Sequence, residues 1–387
     1  HPSIVRVLGN IGALYDQFTQ YFKPENICYG DGVPFLRKLL NEPLDQPYYI
    51  PSTTGYLEML GDKKNKIFAG VLTTSTGCPH KCDFCGTSVL FQGKFNKYNF
   101  TAEDVYRAIK EMEEKIGSNE FLIFVGEPNA FLDKNLWYSV FERFRNEKGS
   151  YGLIAPISMD VLDSYDMEKL QNSAIRLDIA NIGLESVNSK EYKKNKNRNV
   201  RELLRKFESY GISVWGTFII GFPGQTFNEM KGEVDSLIEL GPTIPALLNL
   251  RPIRRTELFT TLENEGKIPS DYIDIGYRFG FMSYIHDYIG LEFKDLPKLM
   301  TDYYNYIESK TGCTFLKILE VKLNQRNLAN ITELNLLKFY YNSYSEIHDI
   351  WVNYFHPNDN KMQEIFNKRF EAIQLKMKKV LENRMVA

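Results

Sequence analysis

Between Ile67 and Ile253 the chain alternates six times between a short apolar run and a charged or amphipathic stretch, and this rhythm constrains the fold more than any other feature. The apolar runs are IFAGVLTTST, EFLIFVGEP, GLIAPISMD, IRLDIANIGLES, ISVWGTFIIGFPG and PALLNLRPI. Their length and their bounding Gly, Pro and Asp residues mark them as strands. The stretches between them read as helices. TAEDVYRAIKEMEEKIG has Thr101 as N-cap and Asp104 three residues on, and LDKNLWYSVFERFRNE and the short DMEKLQNS follow. NVRELLRKFESYG stops at Gly211, and TFNEMKGEVDSLIELG places Thr226 and Glu229 at capping-box spacing. Strands alternating with helices through right-handed crossovers predict an α/β fold, a parallel β/α barrel or an open barrel.

In such folds ligands bind where the strands end. The loop GCPHKCDFCG follows the first strand, and Gly126-Glu127-Pro128 the second. Ser158 and Asp160 end the third, Glu185-Ser186 the fourth, Gly221-Phe222-Pro223-Gly224 the fifth and Arg251-Pro252 the sixth. Six unusual endings are thereby expected on one rim.

The barrel pattern occupies residues 65–260. Residues 41–64, with Pro, Gly, Asp and short polar clusters, read as a linker with little regular structure. Residues 261–387 read as a helical C-terminal region, with LFTTLENEGKIP leading into it and MQEIFNKRFEAIQLKMKKVLENR as a long amphipathic helix. That region is expected to close the open side of the barrel, with Tyr277, Phe279 and Tyr284 as pocket candidates or ordinary helix packing. At the other end, Ile4 to Leu8 and ENICYGDG read as two short strands, each followed by a helix. This is the beginning of a doubly wound sheet, but two strands cannot complete one. Residues 1–40, starting at His1, therefore read as the last part of a Rossmann-like domain cut short.

Composition removes several classes. Lys plus Arg number 47 and Asp plus Glu 49, so nothing steers the chain to nucleic acid or an anionic membrane. No apolar run reaches the roughly 18 residues that span a bilayer, and no secretory signal leads the sequence. Five cysteines, three of them in one loop, do not resemble a disulfide framework and suit a reducing, cytoplasmic setting. The 24 Tyr and 26 Phe point to an aromatic core, with stacking on a planar ligand as the lesser reading.

Cys78, Cys82 and Cys85 stand at C-x₃-C-x₂-C. Structural zinc would need a fourth donor, and His80 is the candidate within the loop. A redox pair would use Cys82 and Cys85 and leave Cys78 unexplained. Inert buried thiols do not account for the density. An iron–sulfur cluster with four irons and three thiolates leaves one iron open to a reactive ligand.

With Phe84 before Cys85, the motif C-x₃-C-x-aromatic-C resembles the signature of the radical S-adenosylmethionine (radical SAM) enzymes, over about residues 66–260. The resemblance implies a partial (β/α)6 barrel and a [4Fe–4S] cluster on Cys78, Cys82 and Cys85. It also implies S-adenosylmethionine (SAM) chelated at the open iron and reductive cleavage to a 5′-deoxyadenosyl radical. Gly126-Glu127 resembles the family element that holds the methionyl amine, with Val125 where many members have a further glycine. Phe84, Ser158 and Glu185 take cofactor-side places, Glu185 reaching the ribose or methionyl part. GTFIIGFPGQT resembles the element beside adenine, with Gly216 and Gly221 allowing close approach and Gln225 in the usual place of a Glu. Leu248, Asn249 and Leu250 would lie near adenine.

ENICYGDGVPFLRKLLNE is similar to the end of the cobalamin-binding domain that precedes the barrel in one subclass, with Gly30, Asp31 and Gly32 on the possible cobalamin side. IGLES, GFPGQT and RPIRRTELFTTLENEGKI are similar to the same subclass. The implied activity is cobalamin-dependent methyl transfer to an unactivated centre of a small molecule or natural-product intermediate, with a flavodoxin- or ferredoxin-type electron donor. A cobalamin-independent radical SAM cyclase or oxidase is the first alternative, and a non-catalytic iron–sulfur or zinc protein the second. No catalytic residue beyond the cofactor set is assigned. Arg251, Arg254 and Arg255 are either contacts for an anionic substrate or surface charges.

Overall fold

A computed structural model describes residues 5–14, 16–45, 50, 53–58, 66–187, 198–223, 225–268, 296–324 and 358–385. The strands are β1 (Thr53–Glu58), β2 (Lys66–Leu72), β3 (Ser75–Gly77), β4 (Phe95–Lys97), β5 (Glu120–Val125), β6 (Ser150–Pro156), β7 (Ile175–Glu185), β8 (Ser213–Ile220) and β9 (Ile244–Asn249). The helices are α1 (Asp16–Thr19), α2 (Gly32–Leu39), α3 (Gly86–Phe91), α4 (Ala102–Ile116), α5 (Lys134–Arg143), α6 (Met159–Asp163), α7 (Met167–Gln171), α8 (Val200–Ser209), α9 (Phe227–Leu240), α10 (Glu257–Asn264), α11 (Leu296–Thr311), α12 (Thr314–Asn324) and α13 (Asn360–Met385).

One seven-stranded sheet runs in the order β1-β2-β5-β6-β7-β8-β9. From β2 to β9 every pairing is parallel, so the six expected strands form the expected open barrel. The segment read as a linker supplies a further strand: β1 pairs antiparallel with β2, Thr53 opposite Val71 through Glu58 opposite Lys66. Its six residues, TTGYLE, are short and half polar, which hid them among Pro and Gly.

The helices form where sequence chemistry allows their ends to be satisfied. Thr101 and Asp104 make a reciprocal capping box on α4, and Thr226 and Glu229 another on α9. Each cap contributes about 1 kcal/mol. Gly117 and Gly241 then end these helices at positive φ. Between the sheet and α4, α5 and α7 lies an aromatic core of Phe131, Trp137, Phe141, Phe144, Tyr151 and Tyr165. Phe131 sits 4.4 Å from Trp137, and Phe144 5.5 Å from Tyr151 in a T-shaped pair. Among the described residues these aromatics are thus core.

Two features bound the barrel. At the edge strand β9, the Tyr304 hydroxyl of α11 donates to the Leu247 carbonyl at 2.9 Å and accepts from the Leu247 amide at 3.3 Å. At the N-terminal end of the strands, Lys322 of α12 donates to Asp178 Oδ1 at 2.7 Å and to the Gly211 carbonyl at 2.5 Å. Arg176 joins them, bonding Ser150 Oγ at 2.9 Å. Asp178, Lys322 and Arg176 are all buried, so a charge cluster closes the base of the barrel. The helical C-terminal expectation holds for α11, α12 and α13; Tyr277, Phe279 and Tyr284 lie outside the described residues.

The N-terminal segment is more modest than two strands. Its parallel pairing is a single bridge, Leu8 with Ile27, carried by Leu8 N to Asn26 O at 3.0 Å and Cys28 N to Leu8 O at 2.7 Å. Among the described residues no helix is long and apolar enough to cross a membrane.

Candidate active site

The cysteine loop is built inside a hairpin. β3 pairs antiparallel with β4, Ser75 opposite Lys97 to Gly77 opposite Phe95, and all three loop cysteines lie between these strands. Gly77 has φ +79°, and a Cβ there would collide with the Lys94 carbonyl oxygen and lie 3.2 Å from the Phe91 ring. Only glycine lets the two strands approach at the loop's entry. Cys82 O accepts from Cys85 N at 3.1 Å, and Cys85 is the N-cap residue of α3. Ser88 Oγ ties α3 back to the His80 carbonyl at 3.2 Å. Cys78, Cys82 and Cys85 are partly exposed, whereas Cys28 and Cys313 are buried.

Four rim elements meet this loop. The Phe84 ring lies edge-on to Phe222 at 6.3 Å and joins a small apolar cluster with Ile219, Leu250 and Leu258. The Leu258 amide, at the start of α10, donates to the Asp83 carbonyl at 3.1 Å. His80 Nε2 faces Asp160 Oδ2 at 3.8 Å. Asn129 donates to Ser158 Oγ at 3.2 Å and lies 3.8 Å from Cys78 Sγ, while its Oδ1 accepts from Ser158 N at 2.9 Å. The ends of the first, second, third and fifth barrel strands are thereby brought together.

Glu127 is buried against the base of the cysteine hairpin. The residue is only 2% exposed. Oε1 accepts from Thr74 N at 2.7 Å and Thr74 Oγ1 at 2.6 Å, and Oε2 accepts from Ser75 Oγ at 2.7 Å. The side chain holds the base of the cysteine hairpin. Burial pushes its carboxyl above the ordinary range, against the lowering effect of the Thr74 and Ser75 hydrogen bonds. Gly126 lies beside it with no room for a side chain: a Cβ would sit 2.7 Å from Thr73 Oγ1.

Glu185 adopts φ +62° at the end of β7, directly after a register shift. A non-glycine residue held there costs about 1 kcal/mol or more and marks a constrained site. The next two residues are held by a buried carboxylate that sequence reasoning missed. Glu233 of α9 accepts from Ser186 Oγ and, at 3.1 Å, from Val187 N. The signal was an acid within the apolar stripe Met230, Val234, Leu237.

Gly216 lies inside β8. A Cβ there would meet Leu184 Cδ1 and Pro242 Cβ, each at 2.9 Å, so its small size serves packing. Gly221 has φ +85° with open space around it. Its amide donates to Gln225 Oε1 at 2.7 Å, so the residue in the usual Glu place braces the turn. Leu248 is 42% exposed and opposite Ile219. Among the described residues, Asn249 Oδ1, buried at the end of β9, has no hydrogen-bond partner.

The N-terminal segment packs on the cysteine side. A Cβ at Gly30 would lie 3.2 Å from the Leu90 carbonyl of α3. Asp31 caps α2 through Val33 N at 3.0 Å and accepts from Tyr98 Oη at 3.4 Å. Gly32 has open space around it. Arg255 pairs with Asp16 at 2.9 Å and lies over the Tyr29 ring, while Arg254 lies over Phe259. Arg254 and Arg255 thus hold internal contacts.

The donor set suits a cluster better than one ion. Among the described residues no three His, Cys, Asp or Glu side chains gather closely enough to hold a single metal ion, and the His80 imidazole faces Asp160. A [4Fe–4S] cluster takes one thiolate per iron, so three thiols spread along one loop fit it without converging on a point.

Residues 72–237 match the profile described as Radical SAM superfamily. No curated protein matches the chain. The fold is similar to that of the radical S-adenosylmethionine methyltransferase TsrM from Kitasatospora setae, solved with cobalamin and a [4Fe–4S] cluster bound. That match has TM-score 0.42 and 16% identity, over 50% of this chain and 39% of TsrM. It is also similar to the cobalamin-dependent S-adenosylmethionine radical enzyme OxsB, with TM-score 0.35 and 16% identity over 83% of this chain and 55% of OxsB.

Proposed function

We propose, on the match of residues 72–237 to the Radical SAM superfamily profile, that the protein is a radical SAM enzyme catalysing cobalamin-dependent methyl transfer to an unactivated centre of a small molecule. The observation that carries the radical SAM part is the cysteine hairpin, anchored to four strand ends of a parallel barrel. Cys78, Cys82 and Cys85 would hold the [4Fe–4S] cluster. When bound, cluster and SAM supply one-electron cleavage of the sulfonium and a 5′-deoxyadenosyl radical.

The chain's own residues prepare the site. Glu127 fixes the hairpin base through Thr74 and Ser75. Phe84, packed on Phe222, sets the loop against the end of β8. Glu185, Ser186 and Val187 form a fixed polar ledge, held by Glu233, for the ribose or methionyl part of SAM. Asn249 Oδ1, without a hydrogen-bond partner among the described residues, offers an acceptor to an N–H donor such as an adenine amine.

The methyl-transfer part rests on the N-terminal segment. Its Gly30-Asp31-Gly32 turn packs on α3 and Tyr98, next to the cysteine loop, where a second cofactor would face the first. The reductant would be an external one-electron donor. A cobalamin-free cyclase or oxidase is the second reading, favoured by the single parallel bridge of that segment.

Anaerobic reconstitution with iron and sulfide, then dithionite and SAM, tests the first part. The native chain should release 5′-deoxyadenosine and Cys82→Ala none; release by Cys82→Ala, or tightly held zinc in place of iron, overturns it. Binding of added cobalamin, with transfer of label from methyl-labelled SAM to cobalt, tests the second part. An unchanged cobalamin spectrum selects the cobalamin-free reading.

A further inference from the structure

Asn129 follows Gly126-Glu127-Pro128 and is buried, 3% exposed, at the rim. Three polar contacts fix its carboxamide. The main-chain N–H of Ser158 can only donate, and it lies 2.9 Å from Oδ1. The oxygen must therefore face Ser158 N, which leaves the NH₂ group pointing the other way. That NH₂ lies 3.2 Å from Ser158 Oγ and 3.8 Å from Cys78 Sγ. Its two hydrogens match these two acceptors. Ser158 is itself held as the N-cap residue of α6, and Ala130 N, one residue on, bonds the Pro156 carbonyl at 2.7 Å. The carboxamide thus cannot turn away without breaking bonds to β6 and its following loop.

We infer that Asn129 is a positioning residue that donates an N–H···S hydrogen bond to Cys78 and raises the reduction potential of the cluster Cys78 helps to hold. The inference rests on the cluster assignment made above. The physical ground is charge. Reduction adds an electron to a cluster whose density spreads onto the ligand sulfurs, and a donor aimed at one sulfur stabilises that added charge. In a buried site the interaction is stronger than in water. The same bond orients the Cys78 side chain before any metal arrives, since Asn129 is anchored through Ser158 and not through the cysteine loop.

The test is an EPR-monitored redox titration of the reconstituted cluster in the full chain, without SAM, comparing wild type with Asn129→Asp and Asn129→Leu. Asn129→Asp keeps an oxygen for the Ser158 amide and replaces the donor, so it carries the test should Asn129→Leu fail to fold. Iron and sulfide content are measured in each. We expect both variants to assemble the cluster and to be harder to reduce. At a fixed solution potential the ratio of reduced to oxidised cluster should fall about tenfold, a shift of about 59 mV for one electron. An unmoved midpoint in Asn129→Asp overturns the inference. So does a shift in Asn129→Asp with none in a folded Asn129→Leu, which would be an effect of the new charge alone. A wild-type protein that assembles no [4Fe–4S] cluster refutes the cluster assignment itself, and is distinguished from the other outcomes by the missing iron, sulfide and EPR signal.

Discussion

Glu127 illustrates how a single side chain turns out to act through its neighbours. Its oxygens are taken by Thr74 and Ser75, and burial raises its carboxyl above the ordinary 4.5. An acid raised in the folded state binds its proton where the unfolded chain has released it. Stability from this group is therefore fullest below about pH 4.5 and falls as pH rises through the raised value. Glu127→Gln is neutral throughout, and its oxygen still serves Thr74. The thermal midpoint of the metal-free variant should decline less than wild type between mildly acidic and neutral pH; superimposable profiles would refute this account. At this scale the sequence was legible where local chemistry fixes a contact, as with the capping pairs Thr101–Asp104 and Thr226–Glu229. It was silent on orientation. Nothing in GEPNA distinguishes a carboxylate facing a cofactor from one facing Thr74, and nothing marks Asn129, two residues on, as the group beside Cys78.

Among the elements, the β3–β4 hairpin has the tightest tolerance. Its strands pair over only three residues each, so the ladder contributes little and the entry turn contributes much. Gly77→Ala would force a side chain against the Lys94 carbonyl and hold alanine at φ +79°. The barrel sheet does not include this hairpin. Gly77→Ala should therefore keep wild-type far-UV circular dichroism but bind markedly less iron, at least severalfold, on reconstitution. Full iron loading would show that the turn is not needed. Helices and parallel strands were readable because caps and apolar runs write themselves locally. The hairpin was not, because its strands are three residues long and their pairing spans the cysteine loop. β1 was hidden for a related reason: its partner β2 carries the pattern, while β1 itself reads as polar text.

At the scale of the molecule, the barrel has a chemical end and a structural end. The rim gathers the cysteine loop, Asn129, Ser158 and Glu185, whereas the base is closed by Asp178, Arg176 and Lys322. The link from α12 to the base could not be read from sequence, since 144 residues separate Lys322 from Asp178. Lys322→Met would leave Asp178 with a weaker partner, Arg176 at 3.5 Å. Removing one member of a buried ion pair costs about 3–5 kcal/mol. Urea unfolding should register a loss of that order, and a loss below about 1 kcal/mol would mean Arg176 alone suffices. The other boundary, Tyr304 on β9, bears on how molecules meet one another. The outermost strand of an open barrel presents amides and carbonyls to which a strand from another chain can attach. With the Leu247 amide and carbonyl already taken by one phenol, an incoming strand finds no partners at that register, so the edge of the open barrel is guarded there against edge-to-edge association.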